Sequence, residues 1–277
     1  ALLCDAPWVV LPALLILIDY CKTGRVWPSS VLDKIPFFCI AGIFSVVTVK
    51  LTSQAGMVIP YHYGSLGGQV ILIIQLFADY VVSFFIPVGL SPGYTYNPAD
   101  MWSFKTLLSV LFLIATIALA VLGLKKDRRE LVLGIGWYAV CFLPFSQAIP
   151  ILIVRADQFM YHTLIGLALV AVSGIVYVVG SARAMRQRLL LVCALVACMA
   201  PITLSHFKHY VTPYAYLDRF VETQGWAPSS EILRARVHRF RGDHLAEAQS
   251  LERALPHYSE PLSSQVRIQA ARAYLEI

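Results

Sequence analysis

The sequence predicts an all-α protein: a polytopic membrane helix bundle of about six spans plus a re-entrant or interfacial segment, followed by a helical tail. Of the 277 residues, 58% are hydrophobic and 14% are charged, whereas soluble domains carry about a quarter of charged residues. Long apolar runs fill residues 1–204, while Arg, Glu, His and Ser are frequent in residues 205–277. These two ranges are therefore predicted to be a membrane domain and a small soluble domain.

Six apolar stretches are predicted to cross the membrane, because a span takes about 20 residues. They are residues 6–21, 36–53, 104–124, 131–145, 161–182 and 189–204. A seventh apolar stretch, residues 69–88, is interrupted by Gln75 and Asp79 and ends near Pro87.

Basic residues predict which loops face the cytoplasm. Lys and Arg cluster after the first, third and fifth spans: Lys22, Arg25 and Lys34; Lys125, Lys126, Arg128 and Arg129; Arg183, Arg186 and Arg188. By the positive-inside rule these loops are cytoplasmic. The net charge of +6 comes mainly from them, so it does not indicate a nucleic-acid partner.

This sidedness constrains residues 69–88, which cannot cross the membrane once by themselves. They are predicted to be re-entrant, interfacial, or a helix in the outer leaflet, where backbone packed on protein is tolerated. Because successive spans cross in alternating directions, residues 54–103, 144–160 and 205–277 are predicted to lie outside the cytoplasm. Any chemistry is therefore expected on the outer face.

The tail is predicted to contain helices over 229–240 and 244–255, joined by a turn at Gly242, and a third helix after Ser263. The Gly-Asp turn and the alanines after it resemble the second half of a tetratricopeptide repeat, shifted by one residue. A generic helical hairpin is the alternative. Stable arrays need about three repeats, so either more repeats follow Ile277 or the tail docks on the membrane domain.

Residues 154–162 place ionisable side chains between two apolar runs. They include Arg155, Asp157, Tyr161 and His162. Such groups are costly at a membrane junction unless they pair or face water or a ligand. One interpretation is a binding site; the alternative is that Arg155 and Asp157 close a loop over the helix ends, with His162 as an interfacial cap.

Other polar residues also allow two interpretations. The Asp79 carboxylate, beside Tyr80, either faces a cavity or pairs with Lys50 or Lys105. Asp5 is a further candidate for a cavity, whereas Asp19 is expected to form ion pairs with Lys22 or Arg25. Outer aromatic residues either form a membrane-interface belt or line a sugar or peptide groove: Tyr61, His62, Tyr63, Tyr94 and Tyr96. The six cysteines lack metal-site spacing and are interpreted as small hydrophobic residues, so no metal is predicted.

Five blocks resemble, in their order and spacing, one known family. They lie at residues 11–25, 34–56, 79–94, 136–144 and 156–166, the last resembling a motif written ADRYxYLPxIG. The family is the membrane O-mannosyltransferases with lumenal tetratricopeptide repeats and their bacterial homologues. Its members have the polytopic fold of glycosyltransferases that use lipid-phosphate-linked sugars. The resemblance covers about residues 6–205, and the repeat-like tail follows.

The resemblance implies an enzyme of the bacterial inner membrane or endoplasmic reticulum. Its donor would be a polyprenyl-phosphate-linked sugar, which the resemblance implies to be mannose, and its acceptor would be a protein recruited by residues 205–277. The lipid phosphate would be held by Arg155, Asp157, Tyr161 and His162, and the cavity lined by Asp79, Tyr80 and Tyr94. Family members place a catalytic Asp in the first outer loop, which would precede Ala1. No residue of this sequence is therefore assigned the catalytic role.

The sequence departs from the family motif at several positions. Gln158 stands where the family has Arg, Phe159 replaces Tyr, and His162 with Thr163 replaces Leu-Pro. Because Gln lacks the charge that suits Arg to a phosphate, the alternative function is a catalytically inactive scaffold or accessory subunit of a membrane complex. A transporter or flippase would show inverted repeats, and none is found in the sequence.

Overall fold

The computed structural model describes residues 6–24, 28–54, 57–91, 93–94, 96–151, 153–179, 185–212, 215–216, 218–219, 228–257 and 262–277. Of the residues that the structure describes, 81% are helical and none forms a strand, which confirms the all-α class. The α-helices are α1 (Leu11–Thr23), α2 (Pro28–Leu32), α3 (Ile35–Gln54), α4 (Leu66–Phe85), α5 (Phe104–Lys125), α6 (Arg129–Phe142), α7 (Tyr161–Val179), α8 (Met185–Phe207), α9 (Pro228–Arg241), α10 (His244–Ala254) and α11 (Leu262–Leu275).

Within the described residues, four helical segments are long and apolar enough to cross a membrane: Pro28–Gln54, Leu66–Phe85, Phe104–Lys125 and Asp157–Tyr177. Three of them coincide with predicted spans. The fourth is α4, which the sequence predicts not to cross by itself. Two other predicted spans correspond to shorter helices, because α1 has 13 residues and α6 has 14.

α4 is a single uninterrupted helix of 20 residues. Its first turn is capped by Ser65, whose hydroxyl accepts a hydrogen bond from the Gly68 amide at 3.0 Å. It ends at Phe85, two residues before Pro87, which cannot continue a helical ladder. The backbone therefore does not reverse direction within residues 66–85, and the length and composition of this helix are also sufficient to cross a membrane.

The basic residues after α1 and between α5 and α6 lie together at one end of the bundle. Arg129 donates hydrogen bonds to the carbonyl oxygens of Cys21 at 3.5 Å and Lys22 at 3.4 Å. Arg128 stacks over the Tyr177 ring of α7, with 5.4 Å between the guanidinium carbon and the ring centroid. We call this the basic end. Arg25 and Arg183 lie outside the described residues, as do the side chains of Arg186 and Arg188.

α6 and α7 approach each other closely through two glycines. A Cβ atom built on Gly166 would lie 2.5 Å from the backbone nitrogen of Tyr138 and 2.6 Å from the carbonyl oxygen of Gly134. Real Cβ atoms do not come this close to backbone. Small residues permit such packing between membrane helices, and the pair positions the loop that joins α6 to α7 at the end opposite the basic end.

α4 lies beside that loop along most of its length. Near its start, the Gln69 side-chain amide donates to the carbonyl oxygen of Gln147 at 2.6 Å. Near its end, Arg155 donates to the Ser83 hydroxyl. Halfway along, the Gln75 amide donates to Thr106, in the first turn of α5, at 2.6 Å. Both ends of α4 therefore contact the same segment, residues 147–155.

The tail contains the predicted helices, now α9, α10 and α11. Their shared core consists of Ala235, Leu251, Val266 and Ala270, with Leu251 of α10 between residues of the other two helices. Gly242, at a φ of 74°, ends α9, and the Asp243 carboxylate caps α10 by accepting from the Ala246 amide at 3.0 Å. The helical prediction for these residues is confirmed.

Candidate functional site

Arg155 is the central buried charge at the end of the bundle opposite the basic end, with only 6% of its surface exposed. One guanidinium nitrogen lies 3.6 Å from the Asp79 carboxylate. The other donates to the Asp79 carbonyl oxygen at 3.4 Å and to the Ser83 hydroxyl. Asp79 and Ser83 are four residues apart on α4 and share a face. Because a buried cation is costly without such partners, Arg155 fixes the loop against α4.

Two tyrosine rings complete the surroundings of this guanidinium. Its carbon lies 4.1 Å from the centroid of the Tyr94 ring and 5.2 Å from that of the Tyr80 ring. Cations are attracted to aromatic faces at these distances. The Tyr94 amide also donates to the Arg155 carbonyl oxygen at 3.0 Å, so the two residues are joined through backbone as well as side chain.

Asp79 binds three groups through its carboxylate. Its Oδ2 accepts a hydrogen bond from the Tyr96 hydroxyl and one from the Lys105 ammonium at 2.8 Å, in addition to the contact with Arg155. The predicted alternative of pairing with Lys105 is thus observed. Two cations share one carboxylate, which leaves this trio of side chains with a net positive charge. Half of the Lys105 side chain (51%) is exposed.

Asp157 belongs to the same cluster through Tyr94. Its carboxylate accepts hydrogen bonds from the Tyr94 hydroxyl at 2.8 Å and from the Ser91 amide. The Asp157 amide in turn donates to the Ser91 carbonyl oxygen at 3.3 Å. Two residues of the loop after α4, Tyr94 and Ser91, therefore hold the carboxylate in place. The side chains of Arg155, Asp79, Lys105, Asp157, Tyr94 and Tyr96 are called the polar cluster below.

Burial raises the pKa of the Tyr94 hydroxyl above its ordinary value, and the negative charge of Asp157 raises it further. Burial likewise raises the pKa of Tyr96 well above its ordinary value, with Asp79 as the next cause. Both phenols therefore stay protonated at neutral pH and serve as hydrogen-bond donors to the two carboxylates. With both phenols protonated, Asp79 accepts from Tyr96 as well as from Lys105, and Asp157 accepts from Tyr94 as well as from the Ser91 amide.

Two residues proposed from the sequence for the same site lie apart from the polar cluster. Tyr161 is 72% exposed at the start of α7. The His162 ring meets the edge of Trp8, with 4.8 Å between centroids, and its carbonyl oxygen accepts from the Trp137 indole at 2.9 Å. The structure thus brings together Arg155, Asp157, Asp79, Tyr80 and Tyr94, and separates Tyr161 and His162 from them.

Sequence reasoning did not assign Ser83, Ser91 or Tyr96 to this site. For Ser83 a signal exists, because it follows Asp79 by four residues inside an apolar helix. The contacts of Ser91 and Tyr96 depend on how the loop after α4 folds back, and no local pattern encodes that. Gln75 was noted in the sequence because it interrupts an apolar stretch. It is buried, and its side-chain oxygen accepts a hydrogen bond from the Tyr63 hydroxyl at 2.7 Å.

An apolar cavity of about 210 Å³ lies on another face of α4. Its lining includes Phe77, Val81 and Phe85 from α4 and Phe112, Ala115 and Leu119 from α5. Tyr138 of α6 and Leu167 of α7 also line it. The cavity and the polar cluster are thus built on the same two helices, α4 and α5.

Other candidates have the following positions. Asp19 pairs with Lys34 at 2.5 Å, so an ion pair forms as expected, with a different partner. Asp5 lies outside the described residues. Among the residues that the structure describes, no three His, Cys, Asp or Glu side chains are grouped to hold a metal ion. Tyr61 is exposed and Tyr63 buried, so the outer aromatic residues do not form one surface.

Comparison with models of known protein families, with curated proteins and with solved structures finds no match to this chain.

Proposed function

We propose that this chain is part of a membrane glycosyltransferase that moves a sugar, mannose by its resemblance, from a polyprenyl-phosphate carrier to a protein outside the cytoplasm. The observation that carries the proposal is the polar cluster, in which Arg155 and Lys105 share Asp79 at the end opposite the basic end. Lys105 is the cation of this cluster that is half exposed, and an accessible ammonium at the membrane boundary suits a lipid-linked phosphate.

The cluster would assist the reaction through its charge. As the sugar leaves its carrier, negative charge develops on the lipid phosphate, and fixed cations stabilise that charge. Lys105 is accessible to such a group, whereas Arg155 is buried and contributes by neutralising part of the Asp79 charge beside Lys105. The acceptor hydroxyl needs a general base, which the resemblance assigns to an Asp of the family's first outer loop.

The proposal includes a membrane topology of six spans with α4 lying flat in the outer interface. Both ends of α4 contact residues 147–155, whose described part is neither helix nor strand and is therefore unsuited to lipid. Trp102 is 80% exposed just before α5, and Tyr161 is exposed at the start of α7, as in an interfacial aromatic belt. On this topology the tail lies outside the cytoplasm.

The tail is proposed to be tetratricopeptide-like and to recruit the acceptor protein or a partner. α9 begins at Pro228 and α11 at Leu262, 34 positions later, and both helices have 14 residues. A tetratricopeptide repeat has a period of about 34 residues. The order of α9, the Gly242 turn, α10 and α11 matches one repeat followed by the first helix of another.

The second candidate function is a catalytically inactive scaffold within a membrane complex. The observation that favours it is the burial of Arg155, whose contacts with Asp79, Ser83 and Tyr94 are those of a structural residue. Gln158, in place of the family's Arg, accepts a hydrogen bond from the Tyr216 hydroxyl at 3.2 Å. Gln158 therefore joins the loop before α7 to Tyr216 of the tail, which is a structural role and not a phosphate-binding one.

A transfer assay separates the two functions. The full-length protein, reconstituted in vesicles with polyprenyl-phosphate mannose, is expected to transfer mannose to acceptor protein, and Lys105→Gln is expected to reduce the rate. Lys125→Gln, at the basic end of the same helix, is the matched control and should keep the wild-type rate. Absence of transfer, together with copurification of other membrane subunits in fixed stoichiometry, would contradict the proposal and support the scaffold.

A further inference from the structure

A short turn at the basic end, residues 126–128, joins α5 to α6 and is fixed by its own backbone. The amides of its three residues donate to carbonyl oxygens in the last turn of α5, at 3.0, 3.4 and 2.8 Å. Asp127, in the middle, has a φ of 50°, in the left-handed region that commonly ends a helix. Lys126 and Arg128, which are both exposed, are therefore held on either side of Asp127.

The acid of this turn is already paired. The Asp127 carboxylate accepts two hydrogen bonds from the Arg129 guanidinium, at 2.9 and 3.2 Å. Within the part of the chain that the structure describes, neither Lys126 nor Arg128 forms an ion pair. Glu130, which is also exposed, offsets only one of these two charges. The turn therefore presents an excess of positive charge to whatever lies beyond this end of the bundle.

Arg128 is positioned by an aromatic ring in a way that leaves its donors free. Its guanidinium carbon lies over the Tyr177 ring of α7, 5.4 Å from the ring centroid, and Tyr177 is 69% exposed. A cation over an aromatic face is attracted to that face. The N–H groups of a guanidinium point outward in its own plane and match the oxygens of a phosphate in pairs. Arg128 is thus oriented by Tyr177 while its fork of donors remains open to a ligand.

Two candidate membrane spans end at this surface. Phe104–Lys125 ends at the residue before the turn, and Asp157–Tyr177 ends at the ring under Arg128. The neighbouring residues Leu124 and Val176 are exposed and apolar. The cations therefore lie where hydrocarbon gives way to lipid headgroups. A soluble acidic protein would have to contact these apolar residues, whereas a phospholipid covers them with its chains.

We infer that Lys126, Arg128 and Tyr177 form a binding site for an anionic membrane phospholipid. The lipid phosphate is held by the Arg128 fork, with Lys126 beside it, and an acyl chain lies along Val176 of α7. This lipid belongs to the leaflet at the basic end, which the positive-inside rule predicts to be the cytoplasmic one. It differs in kind and in place from the sugar carrier of the proposed function, which is assigned to the opposite end. The inference is independent of that function and applies equally to an enzyme and to a scaffold.

A direct binding measurement tests the site. The full-length protein in a neutral detergent is titrated with phosphatidylglycerol or with phosphatidylcholine of the same acyl chains, and native mass spectrometry counts the lipids retained. Each cation near an anionic membrane surface favours an acidic lipid by about fivefold. With two cations, phosphatidylglycerol is expected to bind its tightest site roughly 25-fold more tightly than phosphatidylcholine. Glycerol phosphate, which has the headgroup without the chains, is expected not to displace it at equal concentration.

Substitutions locate the headgroup. Arg128→Gln and Lys126→Gln are each expected to weaken phosphatidylglycerol binding about fivefold and to leave phosphatidylcholine binding unchanged. The double variant should lose the preference. Arg128→Lys keeps the charge without the planar fork, so its affinity should fall between those of wild type and Arg128→Gln. Lys50→Gln is the matched control, because Lys50 is also exposed but lies toward the far end of α3 from the basic end. All these positions are exposed, and unfolding temperatures verify that each variant folds.

Three results would overturn the site. The first is equal affinity for phosphatidylglycerol and phosphatidylcholine. The second is a loss of phosphatidylglycerol binding in Lys50→Gln as large as that in Arg128→Gln. The third is displacement by glycerol phosphate, which would show a site for free phosphate and not for a lipid. Mannose transfer is not part of this measurement, so failure of the proposed function leaves its outcome unchanged.

Discussion

The phenol of Tyr94 connects Arg155 to a second charged residue of the same loop, Asp157. The Arg155 guanidinium stacks on the Tyr94 ring at 4.1 Å, and the hydroxyl of that ring donates to Asp157 at 2.8 Å. Arg155 and Asp157 are two residues apart and point to different partners. Tyr94, from a loop about 60 positions earlier, is what makes them one cluster.

Replacing Tyr94 by Phe should destabilise the protein modestly. The ring under Arg155 is kept, while Asp157 loses one of its donors and retains the Ser91 amide. The expected loss is about 1 kcal/mol of unfolding free energy, the typical net contribution of a hydrogen bond. Thermal unfolding in detergent measures it, with Tyr61→Phe at an exposed tyrosine as control. A loss no larger than that of the control would show that the hydroxyl contributes nothing.

Stability should fall at alkaline pH through Tyr94 and Tyr96. Their folded pKa values are raised by burial and then by Asp157 and Asp79, respectively, above the value of about 10 for an unfolded tyrosine. A raised pKa contributes stability that is present below pH 10 and is lost as the pH rises through the folded pKa values. Unfolding temperatures measured from pH 8 to pH 11 should decline above pH 10. The variant with both tyrosines changed to Phe should decline less steeply, and an unchanged slope would contradict the assignment.

Asp79→Asn should be among the most destabilising substitutions in the membrane domain. It leaves Arg155 buried with a neutral partner, and breaking a buried ion pair typically costs about 3–5 kcal/mol. The double variant with Arg155→Met removes the unpaired charge and should recover part of the loss. Unfolding temperatures of the two single variants and the double variant form the measurement. If the double variant loses as much as the sum of the single ones, the two residues are not coupled.

The sequence predicts the helices of this site better than its contacts. The position of Asp79 within an apolar run predicted a cationic partner, because a carboxylate there needs one. Lys105 was one of the two partners predicted, and the structure shows that pair. Tyr161 and His162 follow Asp157 closely, so sequence proximity suggested a shared site. They fall at the start of α7, where each residue turns about 100° from the last, and His162 meets Trp8 instead. Tyr96 reaches Asp79 through loop folding that local spacing does not specify.

Gly166→Ala should disrupt the packing of α6 on α7. The added methyl would lie 2.5 Å from the Tyr138 nitrogen and 2.6 Å from the Gly134 carbonyl oxygen, and backbone cannot move aside as a side chain can. Overpacking of this kind costs about 1–3 kcal/mol. Gly174→Ala is the matched control on the same helix, because nothing lies within 4 Å of its Cβ position. Equal unfolding temperatures for the two variants would contradict the close approach.

If α4 lies flat in the outer interface, as proposed, both its ends are reached from one side of the membrane. In a variant without the native cysteines, Leu66→Cys and Ile86→Cys mark the two ends of α4, and Leu124→Cys marks the basic end of α5; all three positions are exposed. A membrane-impermeant thiol reagent added outside the cell should label positions 66 and 86 and should reach position 124 only after the membrane is permeabilised. The physical reason is that residues 147–155 contact α4 at Gln69 and again at Ser83, so one loop follows the helix along its length. Labelling of positions 66 and 86 from opposite sides would show that α4 crosses the membrane, and the polar cluster near its end would then lie on the other side from Gln69.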